Sequence, residues 1–476
     1  MSDDLCYLSA TEALAAFKAR KLSPVELLQA VIARADAVEP KINAFPMKLY
    51  DRALAEARKA EARYMKTDGR TRALEGIPMA IKDETTIKGW RTTFGSVVFK
   101  DNIDAYTAPA AERIIKAGAV IHARSAAPEF SCAPYTHSRQ WGITRNPWNL
   151  DYSPGGSSGG AGASLAAGST TLANGSDIGG SIRIPASMCG VVGFKPPYGR
   201  NPEGSPFNLD HYCHAGPMAR TVADCALFQN VLSGPHPGDI ASIRPKLKIP
   251  ARLEGDLKGW RIAYSPALDG FEVEPDVARN TAAAVEVFRS LGATVEEIEI
   301  GWNHAELVRA AWAHFGSIFG PWIARVLAEH RHSMTAYAID FAERSQGVSV
   351  ADFLESLEIE GRMYAKLGAH FQRYRLLLCP TLPLPSVKAG EDYVDDKVRI
   401  NGKPQDSIVH WLMTVCFNMM SRCPVMSVPS GRASSGVPMG LSIVGRTYDD
   451  VSVFRAAAAF ERAQPWLDTG ARRPAL

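Results

Sequence analysis

Nine of the 27 positions from Gly155 to Ser181 are glycine, where the composition of the whole chain predicts about two. A backbone this free of side chains can enter conformations closed to other residues and can approach its neighbours closely. The Ala/Ser/Gly stretch 160–168 inside it reads as a helix packed very near the elements around it. Any fold for this chain must therefore bury a tight glycine-rich segment between its other elements.

Those elements alternate. Ser9-Ala-Thr-Glu12 and Ser23-Pro24-Val-Glu26 are two capping boxes, the second with proline at the first helical position. Leu27, Leu28, Val31, Ile32, Ala35 and Val38 then mark one helical face, with Pro40 expected to end the helix. Residues 51–65 and 109–118 read as helices, and Ile77–Ile81 and Ala119–Ala123 as strands. Beyond the glycines, Gly234–Asp239 is a loop and Arg244–Pro250 a linker. Trp260–Tyr264, Val295–Ile300, Leu376–Cys379 (stopped by Pro380), Val425–Val428 and Leu441–Val444 read as strands. Residues 275–291, most of 304–376 and 452–463 read as helices. The alternation predicts an α/β fold with a covered sheet.

Balanced charge, 53 Lys+Arg against 50 Asp+Glu, argues against a nucleic-acid or anionic-membrane partner. No apolar run is long enough to span a bilayer, and the acidic start Met1-Ser2-Asp3-Asp4 lacks the apolar segment of a secretory signal. Eight cysteines without a Cys-x-x-Cys pair point to a reducing, cytoplasmic compartment and no structural zinc.

Three chemistries compete for the glycines. A phosphate loop needs a Lys after them, and none follows 155–160. Gly155-Gly-Ser157-Ser-Gly159 satisfies G-x-S-x-G, but the nucleophile elbow must follow a strand directly, and turn-like Asn149–Pro154 precedes it. In Gly175-Ser-Asp177-Ile178-Gly179-Gly180-Ser181-Ile-Arg183, two glycines precede a serine expected to open a helix. That arrangement can aim several N–H groups at one developing oxyanion, with Ser181 placed as nucleophile and in need of a base.

These residues, with Arg183-Ile-Pro185-Ala186, Gly190-Val-Val-Gly-Phe-Lys195-Pro196, Gly76-Ile-Pro-Met-Ala-Ile-Lys82-Asp83, Gly216–Asp224 and Gly440–Gly445, resemble the amidase signature family over nearly the whole chain. The resemblance implies a mixed sheet of about ten or eleven strands between helical layers. It implies one domain over 1–476, with a signature core at about 70–230 and an inserted helical region at 304–376. It also implies a Ser–Ser–Lys triad: Lys82 the base, Ser157 the bridging serine, Ser181 the nucleophile. The N–H groups of Ile178, Gly179, Gly180 and Ser181 match the oxyanion hole, and Ser131 lines the substrate pocket. Ser158, Asp177 and Arg183 stand behind them, Asp177 orienting or capping the oxyanion loop and Arg183 a structural ion-pair partner rather than a substrate ligand.

A free lysine is neutral in only about one molecule in a thousand at pH 7, so the mechanism requires burial of Lys82. The apolar run Ile77–Ile81 is consistent with that. No cofactor and no metal are implied; His211, Cys213 and His214 read as packing or pocket rim. Trp302, Trp312, Phe315, Phe319 and Trp322 read as core, some of them as wall of an apolar pocket. The expected substrate is a small-molecule amide, anilide or carbamate, and the expected assembly a monomer or homodimer. The alternatives are a carbamate (urethane) or aryl-ester hydrolase, the catalytic chain of a glutamine-using tRNA amidotransferase, and a non-catalytic binding protein. Phe417-Asn-Met-Met-Ser-Arg-Cys-Pro424 and Pro128–Pro134 depart from the family pattern where specificity is shaped.

Overall fold

A computed structural model describes residues 3–66 and 70–476; Met1 and Ser2, on which part of the leader reading rests, lie outside them. Among the described residues eleven strands form one sheet. In chain order they are β1 Met47–Lys48, β2 Pro78–Lys82, β3 Val120–Ser125, β4 Leu172–Asp177, β5 Val192–Lys195, β6 His214–Ala219, β7 Arg261–Tyr264, β8 Thr294–Glu297, β9 Leu376–Pro380, β10 Val425–Arg432 and β11 Pro438–Gly445. Their order across the sheet is β1-β3-β2-β4-β6-β5-β10-β11-β9-β7-β8. The pairings β2/β3, β2/β4, β9/β7 and β7/β8 are parallel and the rest antiparallel, so the sheet is mixed.

Both faces are covered, and strand alternation shows it. Met79 and Ile81 of β2, Leu172 of β4 and Ala219 of β6 face a core built with the helices Ala10–Lys18, Pro109–Lys116, Val222–Leu232 and Asp450–Ala463. Ala80, Ala173 and Met218 face the opposite layer, with the helices Pro24–Ile42 and Gly159–Ala167. Between β8 and β9 the helices His304–Ser317, Phe319–His330, Ala336–Arg344 and Val350–Phe371 build a further aromatic-rich core. Among the described residues no helix is long and apolar enough to cross a membrane.

Several elements differ from the sequence reading. Both capping boxes form, but the second helix passes Pro40 and ends at Ile42. Pro40 sits in the last turn, where its missing N–H frees one carbonyl, and Asn43 at φ 49° closes the helix. The strand of Pro380 does end there, but with the proline as its last paired residue, opposite Leu441, rather than just beyond it. The segment 244–250 is no free linker. Ile249, Leu253 and Leu257 are buried in the core, and Asn230 bonds both backbone polar groups of Ile249. Ser181 does not open its helix, which runs Arg183–Cys189 with Ile182 as cap.

The glycine-rich helix Gly159–Ala167 is buried along its whole length. A Cβ on Gly160 would lie 2.2 Å from the Ala126 backbone nitrogen and 2.6 Å from the Ala44 carbonyl oxygen. Both are main-chain atoms, so nothing can rotate away. Gly160→Ala is expected to cost about 1–3 kcal/mol, read as a lower midpoint in urea denaturation; an unchanged midpoint would show that this backbone approach is not required.

Candidate active site

Three segments converge at the carboxyl end of β2. Lys82 is the last residue of that strand and has no exposed surface. Its backbone N–H donates to Asn174 Oδ1 on the neighbouring strand β4 at 2.9 Å, which fixes where the side chain leaves the sheet. The amine Nζ lies 2.7 Å from Ser157 Oγ and 2.8 Å from Ser176 Oγ. The carboxylate of Glu84 is 3.3 Å from the same nitrogen. Burial holds the Lys82 pKa below its ordinary value, and Glu84 pulls the other way.

Ser157 is 1% exposed and stands in the turn that enters the Gly159–Ala167 helix, after a cis Gly156–Ser157 peptide. Next to it the Ser158 N–H donates to the Ser181 carbonyl at 3.2 Å, and Ser158 Oγ reaches the Ser176 carbonyl at 3.5 Å. The two serine-bearing turns are thereby tied by backbone. Ser181 is 7% exposed. It lines a small cavity with Ser131, Ile178, Gly179, Phe315 and Phe319. A larger cavity of about 240 Å³ adjoins it and shares Ser131, Ile178 and Phe319. Ser157, Glu84, Ser176, Glu203 and His214 lie on its polar side, and Phe94, Phe130, Phe207 and Trp322 on its apolar side. Phe319 and Trp322 are thus pocket wall, whereas Trp302 is buried core whose Nε1 donates to the Met363 carbonyl at 3.0 Å.

Asp177 shapes the turn that carries Ser181. Its carboxylate accepts from the N–H groups of Gly180 at 2.9 Å and Ile182 at 3.3 Å. Arg183 grips the same carboxylate with two bonds, 2.9 Å from Nε and 2.8 Å from Nη2, and Asn418 adds a third at 2.8 Å. Burial alone would raise the Asp177 pKa; the guanidinium and the amide outweigh it and hold the carboxyl well below its usual range. Among the described residues the N–H groups of Ile178, Gly179 and Ser181 have no protein acceptor. The N–H of Gly180, grouped with them in the sequence, is instead directed at Asp177. Gly180 has φ 129°, and a Cβ there would meet Thr414 Oγ1 at 2.1 Å, the hydroxyl that donates to the Gly179 carbonyl.

The structure adds residues that the sequence reading does not single out. Glu84 lies two positions after Lys82 and accepts from Ser131 Oγ, and Ser176 lies in the motif just before Asp177. Both are local to the motifs that carry Lys82 and Ser181. Thr414 and Asn418 come from far along the chain, and no sequence signal connects them to Asp177. His211, Cys213 and His214 do not converge. His214 is buried, its pKa pushed down to about 3 by burial and by the Lys195 ammonium. The group that forms is Asp210, His211 and His314, with ligand-type atoms within 4.8 Å of one another. Its contacts are hydrogen bonds, His314 to Asp210 at 2.7 Å and His211 to Glu360 at 2.9 Å, with Tyr212 stacked on His314.

Among the described residues Arg183 is the sole cation in salt-bridge contact with the Asp177 carboxylate, which supports the Ser181 turn. Arg183→Met leaves that charge buried and unpaired, so a loss of about 3–5 kcal/mol in unfolding free energy is expected. The double variant with Asp177→Asn should regain part of it. Equal stability of the single and double variants in chemical denaturation would contradict this.

The model of the family described as Amidase matches residues 26–454. An acylamidase of Rhodococcus erythropolis is 34% identical over 482 residues, covering 98% of this chain and 97% of that protein. One chain of the glutamyl-tRNA(Gln) amidotransferase of Geobacter metallireducens is 33% identical over 480 residues, covering 94% of this chain and 96% of that one. Among solved structures, a bacterial aryl acylamidase of the amidase signature family superposes with a TM-score of 0.91 at 31% identity, covering 97% of each chain. With its sheet, its glycine-rich turns and this agreement along nearly its whole length, the chain belongs to the amidase family.

Proposed function

We propose that this amidase-family hydrolase cleaves the C–N bond of a small apolar or aryl amide through an acyl-enzyme on Ser181. The observation that carries the reading is the 2.7 Å contact between the fully buried Lys82 amine and Ser157 Oγ. A desolvated amine is neutral more readily than a free one. It can accept the proton of Ser157 while Ser157 takes that of Ser181. Ser181 Oγ then bonds to the substrate carbonyl carbon, and the oxygen gathers charge where the N–H groups of Ile178, Gly179 and Ser181 are free to donate. Gly180 serves by turning the chain, and its own N–H anchors the turn on Asp177. The proton returns through Ser157 to the leaving nitrogen, the C–N bond breaks, and water releases the acid by the same relay.

The cavity supports this choice of substrate class. Its aromatic wall of Phe94, Phe130, Phe207, Phe319 and Trp322 favours an aryl or other apolar group over the polar side chain of glutamine. The names of the acylamidase and aryl acylamidase relatives agree with that. A carbamate or aryl ester presents the same carbonyl to the same groups and is the second reading. The chain is read as one catalytic unit acting in the cytoplasm, without metal or cofactor, and its activity is expected to survive EDTA.

Ser181→Ala and Ser157→Ala are each expected to lower kcat on a small anilide by several orders of magnitude with the fold intact. Labelling of Ser157 rather than Ser181 by a covalent acylating probe would reverse the assignment. The base must be neutral to act, so kcat/KM should rise with pH as the ammonium of Lys82 loses its proton, and level off on the alkaline side. Lys82→Ala should remove the rise. Lys82→Arg should be nearly as damaging, because a guanidinium stays protonated. A rise complete by about pH 7, as a histidine base would give, and unchanged in Lys82→Ala would eliminate the lysine mechanism.

A further inference from the structure

Glu84 touches both the base and the pocket. Its carboxylate is 3.3 Å from Lys82 Nζ and accepts the hydroxyl proton of Ser131, a residue common to both cavities. Ser131 itself is held in a left-handed backbone conformation at φ 57°, next to Phe130 of the aromatic wall. Glu84 therefore bridges the amine that receives the proton and the surface against which substrate packs.

Other acidic groups face Lys82, and their situations differ. Asp177 on β4 is bound by two guanidinium contacts from Arg183. Glu203, in the loop between β5 and β6, has its carboxyl pushed up to about 8 by burial and by the nearness of Glu84 and Asp239. Ser157 and Ser176 contact the amine but are uncharged. Glu84 is the one carboxylate in direct contact with Nζ among the described residues.

We propose that Glu84 is a positioning residue of the proton relay, whose carboxylate holds the Lys82 ammonium formed when the Ser157 proton arrives and fixes that ammonium relative to Ser131. The proposal rests on the lysine-base reading above. The protons balance: the O–H bond of Ser157 breaks, an N–H bond forms on Nζ, and Glu84 accepts a hydrogen bond from the new ammonium without taking its proton. Its charge favours the protonated amine. The same group thus makes Lys82 a stronger base and sets the pH at which it becomes free to act.

The test is the pH dependence of kcat/KM on an anilide from pH 5 to 10 for wild type, Glu84→Gln, Glu84→Asp and Lys82→Ala. Glutamine keeps an acceptor for Ser131 but removes the charge. Its alkaline rise is expected to shift to lower pH by about 1–3 units, with a plateau kcat about tenfold or more below wild type. Aspartate, which withdraws the charge by one methylene, should shift the same way by less. A merely structural role would lower activity and leave the midpoint in place. Where turnover is too slow, the pH dependence of labelling of Ser181 by a fluorophosphonate reads the same midpoint. If Glu84→Gln does not fold, judged by circular dichroism, the Glu84→Asp shift decides. A midpoint that stays put or moves upward overturns the proposal. A rise that persists in Lys82→Ala overturns the lysine-base reading instead; one that vanishes there yet stands still in the Glu84 variants overturns the Glu84 inference alone.

Discussion

The desolvation of one amine governs the rest of this structure. Taking a lysine fully out of water is costly unless its hydrogens find acceptors or its charge is given up. At the end of β2 the acceptors are provided, two hydroxyls at 2.7 and 2.8 Å and a carboxylate at 3.3 Å, while burial itself favours loss of the charge. To bring them there, the chain needs a strand on either side of β2, a turn of small residues that lets Ser157 in, and a helix thin enough to pack behind that turn. The glycine density of 155–181 is the covalent trace of that requirement.

A second buried pair divides the electrostatic work. The carboxylate of Asp177 is bound by Arg183 and Asn418, so its charge shapes the Ser181 turn, and it is felt at Lys82 less than that of Glu84. Two carboxylates close to one amine thus have separate tasks because their other neighbours differ. This is how one site can hold a rigid ionic scaffold beside an amine whose protonation changes in the proposed relay.

Much of this is legible in the sequence, and the gaps have physical causes. Capping boxes, the helix 275–291 and the apolar strands Leu376–Pro380 and Pro438–Gly445 carry strong local patterns and lie where those patterns place them. The central strands β4 and β6 do not read as strands. Leu-Ala-Asn-Gly-Ser-Asp and His-Ala-Gly-Pro-Met-Ala lack the β-branched alternation of a typical strand, and their conformation is imposed by neighbours on both sides. At the site, the motifs around Lys82, Ser157 and Ser181 hold every group that contacts the Lys82 amine among the described residues, Glu84 and Ser176 included. What they cannot contain is Thr414 and Asn418, whose contacts to Gly179 and Asp177 span about half of the chain. The direction of the Gly180 N–H is likewise a matter of three-dimensional detail that no spacing encodes.

Those distant contacts bear on synthesis. The pairing of β5 with β10 sets Lys195 opposite Val425, and it joins the side of the sheet that carries Lys82 to the side built from later strands. Until residues 414–418 have left the ribosome, the turn bearing Ser181 lacks the hydroxyl and amide that brace it, and until those beyond 425 follow, β5 has an open edge. Pairings between such remote segments form late and slowly. An unfinished chain therefore holds Lys82, Ser157 and Ser181 yet lacks the brace of the Ser181 turn, and the arrangement proposed here for attack on a carbonyl is complete only when the late segments of the nascent polypeptide have joined the sheet.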